Sequence, residues 1–242
     1  MLSKAKIKFI KSLQIKKYRK QEQCFLVEGA KSVHELLTSD FELVTLLGTR
    51  DFLLTIHQQL KCEVIEVSVK ELEGLGEFQT NDSTLAIAKQ KPNNLIEVLA
   101  DEFALILDDI RDPGNLGTII RTADWFGIHK IIASIETADF YNSKVITSSM
   151  GSFTRSEIFY TDLEDYLSKT HLKIFGAYLN GEDVHKVDFG NGGFIVIGNE
   201  SKGISLPLEK YITNKITIPR YGKAESLNAA TATAIICDNL RR

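Results

Sequence analysis

The apolar residues of the first part of the chain switch repeatedly between the two-residue period of strands and the longer period of helices. Short runs of branched and aromatic side chains alternate with amphipathic stretches. This pattern predicts strands at 24–27, 42–47, 63–67 and 84–88, and helices at 5–18, 30–37, 51–60 and 69–72. Such alternation is typical of α/β packing.

The alternation is stronger beyond residue 100. The run 103–108 is apolar until its last residue, as expected of a parallel strand that is buried on both faces. We predict further strands at 130–133, 157–159, 173–178, 194–197 and 215–218, and helices at 115–126, 143–149, 163–169, 206–211 and 226–240. The second half is therefore predicted to be an α/β domain with a parallel sheet.

The polar stretch Lys89-Gln90-Lys91-Pro92-Asn93-Asn94 separates the two series. Pro92 disfavours a continued helix, and the two asparagines after it favour a turn. We therefore predict a small N-terminal α/β domain at 1–92 and a second domain at 93–242.

Composition narrows the class of protein. Hydrophobic residues make up 43% of the chain and charged residues 25%, which is typical of a globular domain. No apolar run approaches the ~20 residues that cross a bilayer, so we expect no membrane span. Lysines interrupt the apolar residues near the N-terminus, so we expect no signal peptide. The three cysteines are far apart and the histidines are dispersed, which favours a reducing cytoplasm and argues against a metal site.

Charge is spread unevenly along the chain. Residues 1–20 contain eight basic residues and no acid, whereas the rest, with 21 basic and 32 acidic residues, carries −11. This asymmetry suggests a polyanion partner, although a solubilising first helix would look the same. The candidate RNA-binding residues of this basic arm are Lys4, Lys6, Lys8, Lys11, Lys16, Lys17, Arg19 and Lys20.

Three glycine-containing loops carry the candidate chemistry. The first, 108–117, leaves a buried strand and opens a helix that contains Asn115 and Arg121. The second, 197–205, follows an apolar strand and contains Glu200, and the third, 216–228, leads into a helix of small residues. Ligands bind outside the carboxyl ends of strands in open α/β sheets, and an arginine there can hold a phosphate through paired hydrogen bonds.

Each loop also has a plainer interpretation. The first is consistent with a capped helix bearing a surface arginine, the second with a tight turn bearing a solvated acid, and the third with a helix packed closely on its sheet. We take Ser226 as the N-cap of that last helix and Asn228 as a residue of its first turn. The residues alone thus predict three loops that could share one site.

In this order, the three loops resemble the signature motifs of the SpoU/TrmH family of SPOUT methyltransferases. Asn115-Leu116-Gly117-Thr118-Ile119-Ile120-Arg121-Thr122-Ala123 resembles the first motif. Gly198-Asn199-Glu200-Ser201-Lys202-Gly203 resembles the second, and Ile218-Pro219 through Ser226-Leu227-Asn228 the third. The resemblance covers roughly residues 103–242, and a looser one, around Phe25-Leu26-Val27-Glu28-Gly29, extends to the small substrate-binding domain of relatives.

The resemblance implies a trefoil knot in the C-terminal domain, a homodimer through that domain, and methyl transfer from S-adenosylmethionine (SAM) to a ribose 2′-hydroxyl of structured RNA. It favours ribosomal RNA over transfer RNA as the substrate, and both stay open. The implied catalytic residues are Asn115, Arg121, Glu200, Ser226 and Asn228. The implied cofactor-binding residues are Leu179, Asn180, Ile197, Gly198, Glu200, Gly203, Ile218, Leu227 and Asn228.

On this interpretation Arg121 binds a phosphate beside the target ribose and stabilises charge on the 2′-oxygen, because a guanidinium that stays protonated is a poor base. Two alternatives stay open. One is a non-catalytic RNA-binding or assembly protein that keeps the knotted scaffold. The other is a Rossmann-type nucleotide enzyme, against which the missing glycine fingerprint counts.

Overall fold

The computed structural model describes residues 2–77 and 81–242. Its first helices and strands are α1 (Lys4–Ser12), α2 (Lys16–Glu22), β1 (Cys24–Glu28), α3 (Ala30–Leu37), β2 (Leu43–Gly48), α4 (Arg50–Leu53), β3 (Glu63–Glu66), α5 (Val69–Glu73) and β4 (Thr84–Lys89). There follow β5 (Phe103–Leu107), α6 (Pro113–Trp125), β6 (Lys130–Ser134), α7 (Ser143–Ser148), β7 (Glu157–Thr161), α8 (Leu163–Leu167), β8 (Ile174–Asp183), β9 (Gly193–Ile197), α9 (Leu206–Glu209), β10 (Asn214–Thr217) and α10 (Ala229–Leu240). This order confirms the predicted α/β class.

The chain forms two compact units. Unit 1 comprises residues 1–92 and 139–154, and unit 2 comprises 93–138 and 155–242. The sequence pattern assigned residues 139–154 to the second domain, but α7 of this segment packs on β1 of unit 1. Only contacts between segments far apart in the chain reveal this placement.

Unit 1 contains a mixed four-stranded sheet in the order β1-β4-β2-β3. β4 pairs antiparallel with both β1 and β2, and β2 pairs parallel with β3. Ile10 and Leu13 pack into the core below this sheet, together with Leu26, Leu47 and Leu85. The first helix is therefore part of the hydrophobic core as well as a carrier of charge.

Unit 2 contains a fully parallel six-stranded sheet in the order β10-β8-β9-β5-β6-β7. The central strands β5 and β9 are buried along their whole length, which explains their continuous apolar sequence. Since parallel strands end at one edge, the loops that follow β5 and β9 start side by side. The parallel sheet confirms the prediction, and the trefoil knot stays a prediction.

Two helices replace the single helix predicted at 5–18. α1 ends near Leu13, and α2 begins after Ile15 and continues to Glu22. The guanidinium of Arg19 donates to the carbonyl oxygens of Leu13 (3.0 Å) and Gln14 (2.8 Å) at the break. These carbonyls are satisfied without a continuing helix, so the chain turns here.

Two further boundaries differ from the prediction. The helix predicted at 51–60 ends at Leu53, where the Thr55 hydroxyl donates back to the Phe52 carbonyl and competes with helix continuation. α10 begins after Asn228, which is its N-cap, so the prediction of Ser226 as the cap is wrong. Across residues 2–77 and 81–242, no helix combines the length and the hydropathy that crossing a bilayer requires.

Arg19 gives a direct test of this packing. The Arg19 side chain is 2% exposed and forms a 2.6 Å ion pair with Asp139, itself 15% exposed. Arg19→Ala removes the cation paired with the mostly buried Asp139 carboxylate and leaves two carbonyls without their side-chain donor, so we expect the free energy of unfolding to fall by about 3 kcal/mol. Urea denaturation followed by circular dichroism measures this. The neighbouring exposed Lys20→Ala is the control, with an expected change within about 0.5 kcal/mol, and an equal loss in both variants would contradict the buried pair.

Candidate functional site

The first two candidate loops begin at neighbouring points of the sheet in unit 2. Leu107, the last residue of β5, lies opposite Ile197, the last residue of β9. The Asp108 amide continues the ladder by donating to the Ile197 carbonyl at 2.9 Å. Strand pairing therefore brings together two loops that lie 90 residues apart in the chain.

Side chains then hold these two loops against each other. The buried Asp108 carboxylate accepts from the Ser205 amide at 2.7 Å. The Asn199 amide group donates to the Asp109 carbonyl at 2.9 Å, and its oxygen accepts from the Ser201 amide at 2.9 Å. Asp109 adopts a left-handed backbone, with φ of 59°, which is uncommon for a residue other than glycine. Asn199 therefore shapes the second loop and fixes it to the first.

A directional chain of hydrogen bonds links the third loop to the other two. The Asn228 side-chain oxygen accepts from the Ala230 amide (3.0 Å) and the Thr231 amide (3.3 Å) at the start of α10. The Asn228 amide group must then point outward, and it donates to the Asn115 side-chain oxygen at 2.9 Å. The Asn115 amide group in turn donates to the Glu200 carboxylate. Three of the predicted catalytic residues thus meet in one network.

Arg121 lies on α6, six residues beyond Asn115, and is exposed. Within the described part of the chain, its guanidinium has neither an ion-pair partner nor a hydrogen-bond partner. By contrast, Arg111 pairs with Asp109 at 2.6 Å, and Arg155 pairs with Asp124 at 2.9 Å. Arg121 is therefore a cation available to a ligand on the same helix as the Asn115 network.

A cavity of about 830 Å³ opens beside these loops in unit 2. Its walls come from the end of β8, the loop after β9, and the segment between β10 and α10. The lining includes nearly all the predicted cofactor-binding residues and the exposed Ser226, namely Leu179, Asn180, Ile197, Gly198, Glu200, Gly203, Ile218, Ser226 and Leu227. Asn115, Arg121 and Asn228 are outside this lining, and the hydrogen-bond network joins two of them to it through Glu200.

Gly198 has a structural role that the sequence did not suggest. A side-chain carbon at this position would lie 2.3 Å from the Gly203 carbonyl carbon and 2.4 Å from the Ile204 nitrogen. The lack of a side chain is needed for the loop to close on itself, as the bridge between Asn199 and Gly203 shows.

Tyr178, at the cavity wall, was not predicted from the sequence. Burial, reinforced by the nearby carboxylates of Glu209 and Asp108, raises the pKa of Tyr178 to about 12. Its phenol is therefore neutral at physiological pH and is not a ready proton acceptor. The roles of Asn199 and Asp108 in holding the two loops together were not predicted either. Their sequence signal is their position in the two candidate loops.

The basic arm belongs to unit 1, and its eight residues have different environments. The exposed side chains are those of Lys4, Lys8, Lys11, Lys16, Lys17 and Lys20. Lys6 is half-buried and pairs with Glu63. Arg19 is buried in its ion pair with Asp139, so the prediction that Arg19 contacts RNA is wrong.

Two protein-family models match the chain. The model of the SpoU rRNA Methylase family matches residues 102–238, which include all three loops. The model described as an MRM3-like substrate binding domain matches residues 4–86, within unit 1. The two matches together cover most of the chain.

Individual proteins are similar over nearly the full length. The 23S rRNA (guanosine(2553)-2′-O)-methyltransferase of Bacillus subtilis is 29% identical over 98% of this chain and 96% of its own. The 23S rRNA (uridine(2479)-2′-O)-methyltransferase of Streptomyces viridochromogenes is 30% identical over 90% of this chain and 83% of its own. Among solved structures, the AdoMet-bound rRNA methyltransferase of Sinorhizobium meliloti superimposes with a TM-score of 0.89 at 29% identity, covering 100% of this chain and 95% of that one. The SpoU methyltransferase AviRb of Streptomyces viridochromogenes, in complex with AdoMet, gives 0.88 at 26% identity, with 98% and 97% covered.

The crowding at Gly198 can be tested by adding one methyl group. Gly198→Ala forces the Gly203–Ile204 backbone apart, so we expect the free energy of unfolding to fall by about 2–3 kcal/mol. Gly222→Ala is the matched control, because a side chain at Gly222 meets open space in the same cavity wall. We expect it to be neutral within about 0.5 kcal/mol in the same urea titration. A tolerated Gly198→Ala would refute the close backbone approach.

Proposed function

The chain belongs to the SpoU rRNA Methylase family, and from that premise we propose that it transfers a methyl group from SAM to a ribose 2′-hydroxyl of ribosomal RNA. The observation that carries this proposal is the network of Asn228, Asn115 and Glu200 beside a nucleoside-sized cavity. The two relatives described above are named as ribose 2′-O-methyltransferases of 23S rRNA, which supports the same reaction class.

The cavity fits SAM in size and chemistry. A volume of about 830 Å³ is within the usual range for small-molecule sites. Apolar side chains suit an adenine ring, and a carboxylate wall suits a sulfonium cation. We propose that SAM is held by Leu179, Asn180, Ile197, Gly198, Glu200, Gly203, Ile218, Leu227 and Asn228. When bound, this cofactor supplies an electrophilic methyl group.

In the proposed mechanism, Arg121 binds the phosphate next to the target ribose and stabilises negative charge that develops on the 2′-oxygen. Its guanidinium stays protonated, so the phosphate or a water takes the proton. Asn115 and Glu200 keep one orientation because the α10 amides fix Asn228. Ser226, exposed at the cavity wall, contributes a hydroxyl that can orient the ribose.

We propose ribosomal RNA rather than transfer RNA because the matching family is described as rRNA methylases, and because two relatives that match most of the chain are named as 23S rRNA methyltransferases. These two relatives modify a guanosine and a uridine, so the target base does not follow from family membership. Ribosomal RNA as the substrate implies a cytoplasmic enzyme.

We also propose a homodimer through the knotted domain. Trp125 is 83% exposed and lies one helical turn beyond Arg121 on α6. A second copy of the chain would cover this large apolar side chain, which otherwise faces solvent. Light scattering of wild type and Trp125→Ala tests this: we expect a wild-type dimer that the substitution weakens.

The exposed lysines of the basic arm supply salt-dependent affinity for RNA in this proposal. Truncation is not a usable test of their role, because Ile10, Leu13 and Arg19 in the same segment are buried. Substitution of individual exposed lysines leaves that core intact.

The reaction and its substrate are tested by mapping ribose 2′-O-methyl groups in cellular RNA with and without the gene. We expect one methyl group to disappear from large-subunit ribosomal RNA. Loss from transfer RNA instead would overturn the substrate class, and an unchanged methylation map would overturn the activity.

Arg121→Ala tests the mechanism. Removing a donor aimed at developing charge costs on the order of 100-fold or more in rate, so we expect methyl transfer to fall by at least that factor. SAM affinity measured by calorimetry should stay within about twofold, because Arg121 is outside the cavity lining. Arg121→Lys keeps the positive charge but lacks the planar guanidinium that forms paired hydrogen bonds, so we expect partial activity. Unchanged turnover in Arg121→Ala would remove its assigned role.

A further inference from the structure

The surface of α2 combines cationic and aromatic side chains. We define the α2 surface as Lys16, Lys17, Tyr18 and Lys20. All three lysines are exposed, and the Tyr18 side chain, also a surface group, is 38% exposed. The Lys17 ammonium lies 6.0 Å from the centre of the Tyr18 ring. Positive charge and an aromatic face are therefore presented together.

The buried neighbour Arg19 explains why this surface faces outward. Its guanidinium ion-pairs with Asp139 and binds two carbonyls at the corner between α1 and α2. This anchors α2 by one residue in the middle of the basic run. The adjacent side chains Tyr18 and Lys20 consequently lie on the outer side of the helix.

The three lysines do not contribute to the fold through ion pairs. Within residues 2–77 and 81–242, none of their ammonium groups has a hydrogen-bond or ion-pair partner. Lys16 and Lys20 stand four residues apart, a spacing at which like charges destabilise a helix by a few tenths of a kcal/mol. The nearest acid of the helix, Glu22, accepts from Gln21. A polyanion would relieve this repulsion.

We propose that the α2 surface binds an unpaired stretch of the RNA substrate, with a base stacked on Tyr18 and flanking phosphates bound by Lys16, Lys17 and Lys20. This rests on the proposed function and adds a named contact to it. Unpaired RNA is the partner that uses both features, because exposed bases stack on aromatic rings while lysines hold the backbone. A paired helix presents phosphates but no free base face.

α1 lacks this combination and therefore gives a matched control. It also has three exposed lysines without partners within the described residues, namely Lys4, Lys8 and Lys11. Its aromatic residue, Phe9, is half-buried and packs on the core of unit 1. The two helices can thus lose equal charge while only one of them loses the proposed contact.

The first test compares two triple variants for binding to an unmodified transcript of large-subunit ribosomal RNA. We expect Lys16→Gln/Lys17→Gln/Lys20→Gln to weaken binding at least 10-fold. It should also reduce the slope of log affinity against log salt concentration by about 2, since each phosphate contact contributes about 0.7 to that slope. The matched variant Lys4→Gln/Lys8→Gln/Lys11→Gln removes only the diffuse attraction of α1, so it should weaken binding less, by roughly 3-fold. Equal losses in both variants would overturn the proposal in favour of diffuse attraction.

The second test isolates the aromatic ring. We expect Tyr18→Ala to weaken binding of the transcript about 10-fold, and Tyr18→Phe to bind like wild type, because stacking needs the ring and not the hydroxyl. A fully paired duplex should bind Tyr18→Ala and wild type equally. Thermal melting verifies that Tyr18→Ala is folded. Wild-type affinity of folded Tyr18→Ala for the transcript, or an equal loss for the duplex, would overturn the stacking contact.

These outcomes separate the α2 surface from the proposed reaction. At saturating RNA, Tyr18→Ala should transfer methyl groups at the wild-type rate, and its affinity for SAM should equal that of wild type. Only the RNA concentration that gives half-maximal rate should rise. A wild-type protein that binds the transcript through Tyr18 without methylating any RNA would refute the reaction and retain the surface.

Discussion

The hydrogen-bond chain from α10 to Glu200 is the interaction on which the site depends. Two backbone amides at the start of α10 donate hydrogen bonds to the Asn228 side-chain oxygen. They thereby fix which end of the Asn228 amide group faces Asn115. Asn115 is then obliged to present its own donor to the Glu200 carboxylate. A helix terminus thus sets the orientation of three side chains from three separate loops. Without it, each amide could rotate and the site would lose its single geometry.

The parallel sheet makes this chain of contacts possible. β5 and β9 pair along their length, so their loops begin side by side, and Asp108 and Asn199 join them further out. Gly198 permits the second loop to close against its own backbone. The cavity is therefore shaped by strand register and by a crowded turn, with the apolar core of the sheet below it. Rigid placement of this kind is what methyl transfer requires, because much of its catalysis comes from positioning.

The sequence carried much of this information, because the relevant signals are local. Continuous apolar runs predicted the buried parallel strands, and residues of the second and third motifs line the cavity. The errors came from long-range contacts. The sequence predicts Arg19 as a surface cation, whereas in the fold it pairs with Asp139, 120 residues along the chain. Chain order places residues 139–154 in the predicted second domain, but they pack with unit 1. Asn228 rather than Ser226 caps α10, and sequence spacing alone does not distinguish the two positions.

The coupling of Asn115 and Glu200 tests the account most directly. A double-mutant cycle with Asn115→Ala, Glu200→Ala and the double variant, measured by single-turnover methyl transfer, isolates their interaction. If the network acts as one unit, the double variant should lose about as much rate as the more damaged single variant. If the two losses multiply, the side chains act independently, and the claim that one hydrogen-bond chain assembles the three loops into a site is contradicted.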